Sequence, residues 1–448
     1  MISRQSARLV ADTPAIADAH FRAEAEPYDP RERPGGYLNL GTAENRLLWD
    51  VLRARLGELG AFTAWTEDVA RYAPLHGTPV LRERIAALLS ATCRTPLDPG
   101  HLVVISGATG ALDALATALC DPGEAIVVPA PYYGAFDTDL GGRSGARLLP
   151  APLPAATGFR LTAAAVADAL DAARRAGITV RAVALSSPSN PVGEVHPPGV
   201  LAELLRVARQ YDVDLISDEI YAHAVFGERP FTSALDPAVN PDWAERTHLV
   251  WGFAKDFALP GLKTGVLHTR NPHVLAATRA LAYFAPVSTA TQDLFARLLA
   301  EPAWVEGFLA EGRRRLAASY RHTAGLLDAH GLPYVPAEAG FSVWLDLRAW
   351  LRGPGSPGPD EGFAAEERLR RALFDTARVS ILPGGAFRAP EPGWFRLCHT
   401  LDAPLVAEAV RRVAGLLGRP ADGPPGPALA HVPATPAPAD LPPNGGRP

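Results

Sequence analysis

The chain is predicted to fold as an α/β protein around a largely parallel sheet, with a smaller α+β unit after residue 330. Three observations predict this. Short apolar runs alternate with helix-length segments, many of the runs end in small or polar residues, and the strand spacing changes beyond residue 330.

Residues 1–35 are polar and rich in Ala and Pro, an arm more than a domain. A first helix is expected at 79–91, then a strand at 101–106 around Leu102-Val-Val-Ile. Gly107 opens a helix that runs to 119, and a strand follows at 125–128. Apolar runs at 182–186 and 214–217 flank a helix at 197–211. Strands at 249–251 and 264–268 flank a segment punctuated by Gly and Pro. A long helix covers 304–330, and the strands at 341–347 and 394–399 belong to the smaller unit. Gly353-Pro-Gly-Ser-Pro-Gly-Pro359 suits a surface loop, and the tail at 419–448, dominated by Pro, Ala and Gly, suits disorder. No internal repeat is evident.

The 448 residues exceed what one simple core needs, and 48% hydrophobic with 20% charged residues is an ordinary globular balance. A net charge of −5 gives no electrostatic case for nucleic acid or an anionic membrane as partner. Cys93, Cys120 and Cys398 are scattered, with neither a disulfide framework nor metal-ligand spacing, which predicts a reducing, cytoplasmic setting and no metal. No apolar run near the start suits a signal peptide, and no stretch approaches a membrane span.

Only two of the 43 basic residues are lysines, Lys255 and Lys263, and both fall in Trp251-Gly-Phe-Ala-Lys-Asp-Phe-Ala-Leu-Pro-Gly-Leu-Lys263. A chain that otherwise uses arginine so heavily keeps a lysine where arginine cannot act. Arginine stays protonated, whereas a partly buried lysine amine can lose its proton and attack a carbonyl. One of the pair is therefore expected to be the nucleophile of a Schiff-base enzyme.

Further polar groups stand beyond strands, where ligands bind in parallel sheets. Ser106-Gly-Ala-Thr-Gly-Ala111 leaves a strand and opens a helix, so its backbone N–H groups suit a phosphate. Pro129-Ala-Pro-Tyr-Tyr133 offers an aromatic face, although such a tyrosine pair more often packs in a core than against a cofactor. Ser187-Pro-Ser-Asn-Pro-Val-Gly193 holds an Asn amide at a strand end. Ser217-Asp-Glu-Ile-Tyr221 sets a carboxylate and a phenol beyond an apolar strand, although Asp218 also suits a helix N-cap. Trp394-Phe-Arg-Leu-Cys-His399 completes the set.

In this order the motifs resemble fold-type I pyridoxal phosphate enzymes of the class I/II aminotransferase superfamily, over about residues 36–415. Within it the chain is most similar to 1-aminocyclopropane-1-carboxylate (ACC) synthase-like enzymes. Gly41-Thr-Ala-Glu-Asn45, Asp121-Pro-Gly-Glu-Ala, Pro131-Tyr-Tyr-Gly-Ala-Phe-Asp-Thr-Asp-Leu140, Lys255-Asp-Phe-Ala-Leu-Pro-Gly261 and Glu391-Pro-Gly-Trp-Phe-Arg-Leu-Cys398 carry that similarity. The resemblance implies a mostly parallel seven-stranded large domain at 51–294 and a small domain assembled from 36–50 and 295–418. It implies pyridoxal 5'-phosphate as cofactor, Lys255 as the Schiff-base lysine and Cα base, and Asp218 as partner of the pyridinium nitrogen. Asn190 and Tyr221 would bond the ring hydroxyl oxygen, Tyr133 would stack on the ring, and Ala108, Thr109 and Lys263 would face the phosphate. Arg396 would clamp the substrate carboxylate, and Glu44 would lie near the substrate or serve only as an N-cap.

The implied reaction is Cα deprotonation and γ-elimination on S-adenosylmethionine. Its vinylglycine-type product would be cyclised, or trapped by a second substrate such as a nicotinamide ring in natural-product biosynthesis. An ordinary aminotransferase is the alternative, and an aminotransferase-like regulator a more remote one. A homodimer with shared active sites is also implied. Three departures concern the phosphate cup and the substrate: Gly252 and Ala254 replace family serines, Lys263 replaces an arginine, and Leu75 replaces a tyrosine that reaches the neighbouring subunit. Tyr72, three residues earlier, is a candidate to compensate.

Overall fold

The computed structural model describes residues 15–61, 66–351 and 362–418. A seven-stranded sheet forms its centre: β1 (Leu102–Ser106), β2 (Ala125–Ala130), β3 (Arg147–Pro152), β4 (Val180–Ser186), β5 (Asp214–Asp218), β6 (Thr247–Gly252) and β7 (Thr264–His268), in spatial order β1-β7-β6-β5-β4-β2-β3. Ladders from β3 through β6 are parallel, while β7 runs antiparallel to both β1 and β6. The interior strands are continuously apolar because helices cover both faces of the sheet, as a parallel sheet requires.

Six of these strands were expected from their apolar runs; β3 was not. Its residues, Arg-Leu-Leu-Pro-Ala-Pro, include two prolines, which cannot donate to a ladder. The sheet order resolves this: β3 lies at an edge and pairs only with β2. The expected helix at 107–119 is observed as Gly107–Leu119, and the long one runs over Pro302–Ala329.

A second, four-stranded antiparallel sheet joins Leu382–Pro383, Trp394–Cys398, Ser342–Asp346 and Tyr334–Val335 in that order. Strand alternation divides Trp394–Cys398 between two environments. Phe395 and Leu397 enter a core with Leu345, Val410 and Val413, whereas Arg396 and Cys398 point the other way. Leu38 and Leu40 join this same core, and Leu38–Asn39 pairs in parallel with Val379–Ser380.

The arm is more structured than its composition suggested. Ala15–Ala25 is a helix, and Ala19 and Ala23 pack with Tyr37 and Phe374, whose rings stack at 4.6 Å. The expected loop at 353–359, the tail at 419–448 and residues 1–14 lie outside the described residues.

Candidate active site

Six strands, β1 to β6, end at one edge of the large sheet. Because β7 runs the other way, its beginning lies at that same edge, with Ser106 opposite Thr264 and Gly252 opposite Gly265. Segments far apart in sequence therefore meet around one cavity of about 1640 Å³. Glu44, Ala108, Thr109, Tyr133, Asn190, Asp218, Tyr221, Lys255, Lys263 and Arg396 all line it. The volume exceeds a typical single-ligand pocket and leaves room for a cofactor and a substrate together.

Lys255 follows β6, and its Nζ donates to the Ala43 carbonyl at 2.6 Å. Burial, and then the positive charge of Arg396, lower its pKa to about 8. The neutral, nucleophilic amine thus predominates above about pH 8, well below the range of an ordinary lysine. In the cofactor-free protein, acetylation of Lys255 by acetic anhydride, which releases acetate, is expected to rise through pH 8 and then level off. Peptide mass spectrometry across pH checks this; a rise centred above pH 10 would show the amine unperturbed.

Asp218 ends β5, is buried, and accepts the Ile220 N–H at 3.3 Å. Burial raises its carboxyl to about 7. No helix begins there, so the N-cap alternative is excluded. The same holds for Glu44, since the next helix starts at Trp49 with Leu48 as its cap residue. The Glu44 carboxylate instead faces Arg46 at 3.5 Å and reaches the cavity wall. Tyr133 meets Phe136 edge-on at 5.5 Å, and Tyr221 meets Phe341 edge-on at 5.1 Å.

An anion cup forms where β1 turns into Gly107–Leu119. Ala108 and Thr109 lie in the first helical turn, whose unpaired N–H groups favour negative charge. Lys263 closes the cup: a Cβ on Gly107 would lie 3.4 Å from its Nζ. Gly265 is required beneath, because a Cβ there would fall 2.2 Å from the Gly107 carbonyl carbon. Thr109 Oγ1 donates to Asp139 Oδ2 at 3.2 Å.

Arg396 is buried, with Nη1 donating to Asn190 Oδ1 at 3.1 Å and Nη2 to the Gly41 carbonyl at 2.7 Å. Its guanidinium lies 4.9 Å from the centroid of the Phe387 ring, and its buried Nε has no hydrogen-bond partner among the described residues. A buried donor left unpaired is costly, and a substrate carboxylate is a suitable acceptor. Gly41, Phe387 and Asp139 were not anticipated as contributors, although Gly41 and Asp139 fall in the Gly41–Asn45 and Pro131–Leu140 runs singled out above. Tyr72 is fully exposed and does not reach this cavity.

Residues 37–413 match the family described as aminotransferase class I and II. The chain belongs to this family. It is similar to ACC synthase 6 of Arabidopsis thaliana, 33% identical over 402 residues that cover 87% of this chain and 80% of the relative. With ACC synthase 2 of Oryza sativa subsp. japonica it shares 35% identity over 405 residues, 87% and 82% of the two chains. Among solved structures, aspartate aminotransferase from Thermus thermophilus with maleate superposes with a TM-score of 0.75 at 25% identity, covering 93% of this chain and 100% of that one. This member of the aminotransferase class I and II family thus has the fold-type I architecture and is a pyridoxal 5'-phosphate-dependent enzyme.

The residues present fit that cofactor. A buried carboxyl at Asp218, raised by burial, calls for a cation such as a protonated ring nitrogen. The glycine-lined cup under Lys263 suits a phosphate, and the lowered Lys255 amine suits a carbonyl. Among the described residues, no helix is long and apolar enough to cross a membrane.

Proposed function

We propose that this enzyme removes the Cα proton of S-adenosylmethionine and expels the Cγ sulfonium as methylthioadenosine. The observation that carries this reading is the 35% identity with a rice ACC synthase across 87% of the chain. Pyridoxal phosphate, when bound, supplies the electron sink that makes the Cα proton removable.

In this scheme Lys255 holds the cofactor and, once released, moves the Cα proton, a task suited to an amine whose pKa lies near 8. Asp218 keeps the ring nitrogen protonated, Asn190 and Tyr221 orient the ring hydroxyl oxygen, and Tyr133 covers the ring. Ala108, Thr109 and Lys263 hold the phosphate. Arg396 grips the substrate carboxylate with a planar guanidinium already held by Gly41 and Asn190. Glu44 presents a carboxylate on the Lys255 side of the cavity, where a sulfonium cation would gain from it.

Purified enzyme given S-adenosylmethionine is expected to release methylthioadenosine, and mass spectrometry with and without a second substrate distinguishes cyclisation from trapping, for example by a nicotinamide ring. Absence of methylthioadenosine sinks the proposal. The structural likeness to an aspartate aminotransferase supports a second reading, transamination, for which an amino acid donor would convert the cofactor to its amine form without methylthioadenosine.

We take 51–294 as the cofactor-binding domain, and 36–50 with 295–418 as the smaller one. Leu38 and Leu40 sharing a core with residues 327–413 supports that division. Tyr72, Tyr283 and Phe284 are exposed, and Ser106 at the cup bonds Ala285 in the same segment. These aromatics suit a homodimer contact beside the site, where Tyr72 would take the place of the tyrosine absent at Leu75. The three free, buried cysteines agree with a cytoplasmic setting.

A further inference from the structure

Asp139 has no part in the scheme above, yet it stands at the phosphate cup. Its residue is 6% exposed, it lines the cavity, and it receives the Thr109 hydroxyl at 3.2 Å. An acid in that place is unexpected, because a carboxylate repels a phosphate dianion. The cup is also short of side-chain donors: Ala254, which lines the cavity, carries no hydroxyl, and Lys263 is the cup's one lysine. The Thr109 hydroxyl is therefore a scarce donor, and Asp139 competes for it.

We infer that Asp139 is a positioning residue for the cofactor phosphate: as a neutral acid it donates to Thr109 Oγ1 and frees the threonine O–H for the phosphate, and on ionising it withdraws that donor. The inference rests on the phosphate occupying the cup between Ala108, Thr109 and Lys263. The charged surroundings agree. Asp113, on the same helix as Thr109, faces Asp139 and is itself paired with Arg143 at 3.2 Å. Lys263 faces it across the cup, and Asp218 and Tyr133 lie near it in the cavity. Asp137, which shares the short helix Phe136–Gly141 with Asp139, turns to Arg388 at 2.9 Å instead. Burial holds the Asp139 carboxyl up at about 7, against the weaker opposing effects of Thr109 and Lys263.

The sign follows from linkage. A phosphate dianion beside Asp139 raises its pKa further, so binding takes up a proton and weakens as pH rises above about 7. Pyridoxal lacks the phosphate and should lack this dependence. The quantity to measure is the ratio of the dissociation constants of pyridoxal and pyridoxal phosphate for cofactor-free enzyme, which cancels the titration of Lys255. The phosphate's second ionisation lies near pH 6, so the dianion dominates throughout the alkaline range.

In the wild-type protein this ratio is expected to fall by roughly tenfold between about pH 7 and pH 9, the value of one hydrogen bond to a charged group. In Asp139→Asn, whose amide mimics the neutral acid, the ratio should stay flat at its neutral-pH value. A wild-type ratio constant over that range overturns the inference even if the variant does not fold. Equal slopes in both proteins, or a variant weaker by one factor at every pH, also overturn it. Borohydride reduction with peptide mapping keeps the site itself under separate test: if pyridoxal phosphate is not attached at Lys255, the site assignment fails and takes the inference with it.

Discussion

Lys255→Ala is expected to abolish turnover, by roughly 10⁴-fold or more, while leaving the fold intact. The proposed roles make Lys255 both the attachment point and the proton carrier, so its loss removes two functions together. Alanine leaves no buried charge behind, and the side chain makes one hydrogen bond, to the Ala43 carbonyl. Stability should therefore change little. This chain makes the test unusually clean because its only other lysine is Lys263, placed at the phosphate cup. Borohydride reduction should fix the cofactor to Lys255 in the wild type and to no lysine in the variant, with loss of the bound cofactor's visible absorption. Label on Lys263 with retained turnover would reverse the assignment of the two lysines.

Arg396→Lys should lower kcat/KM by roughly a hundredfold or more, with the cofactor still bound and its spectrum intact. The guanidinium reaches Asn190 Oδ1 and the Gly41 carbonyl at once and keeps a buried Nε without a partner among the described residues. A lysine ammonium cannot reproduce that fork, and it would leave one of two buried acceptors unpaired. The loss should fall on substrates bearing an α-carboxylate and spare simple amines. An equal loss for both would mean that Arg396 serves the fold through Asn190 rather than binding substrate.

Much of the fold was legible because its signals are local. The apolar runs of the inner strands and the glycine-led turn at 107 reflect burial on both sheet faces and the chemistry of a strand-to-helix turn. The Arg147–Pro152 strand was missed because its prolines argue against a strand until its place at the sheet edge is known. The helix at Ala15–Ala25 was missed because its weak pattern gains meaning only against Tyr37 and Phe374.

By itself the sequence determined the chemical inventory: a lysine where arginine would not serve, a carboxylate and an amide beyond apolar strands, an anion-binding turn, and an arginine on a late strand. Their meeting was decided by tertiary structure. The reversed direction of β7 brings Lys263 to the edge where six parallel strands end, and strand alternation turns Arg396 away from the core that takes Phe395 and Leu397. The contact between Thr109 and Asp139, and the solvent-facing placement of Tyr72, likewise had no local signature. Hydrophobic period and turn chemistry act over a few neighbouring residues. Contacts between residues tens to hundreds of positions apart depend on sheet order and on which face each strand buries.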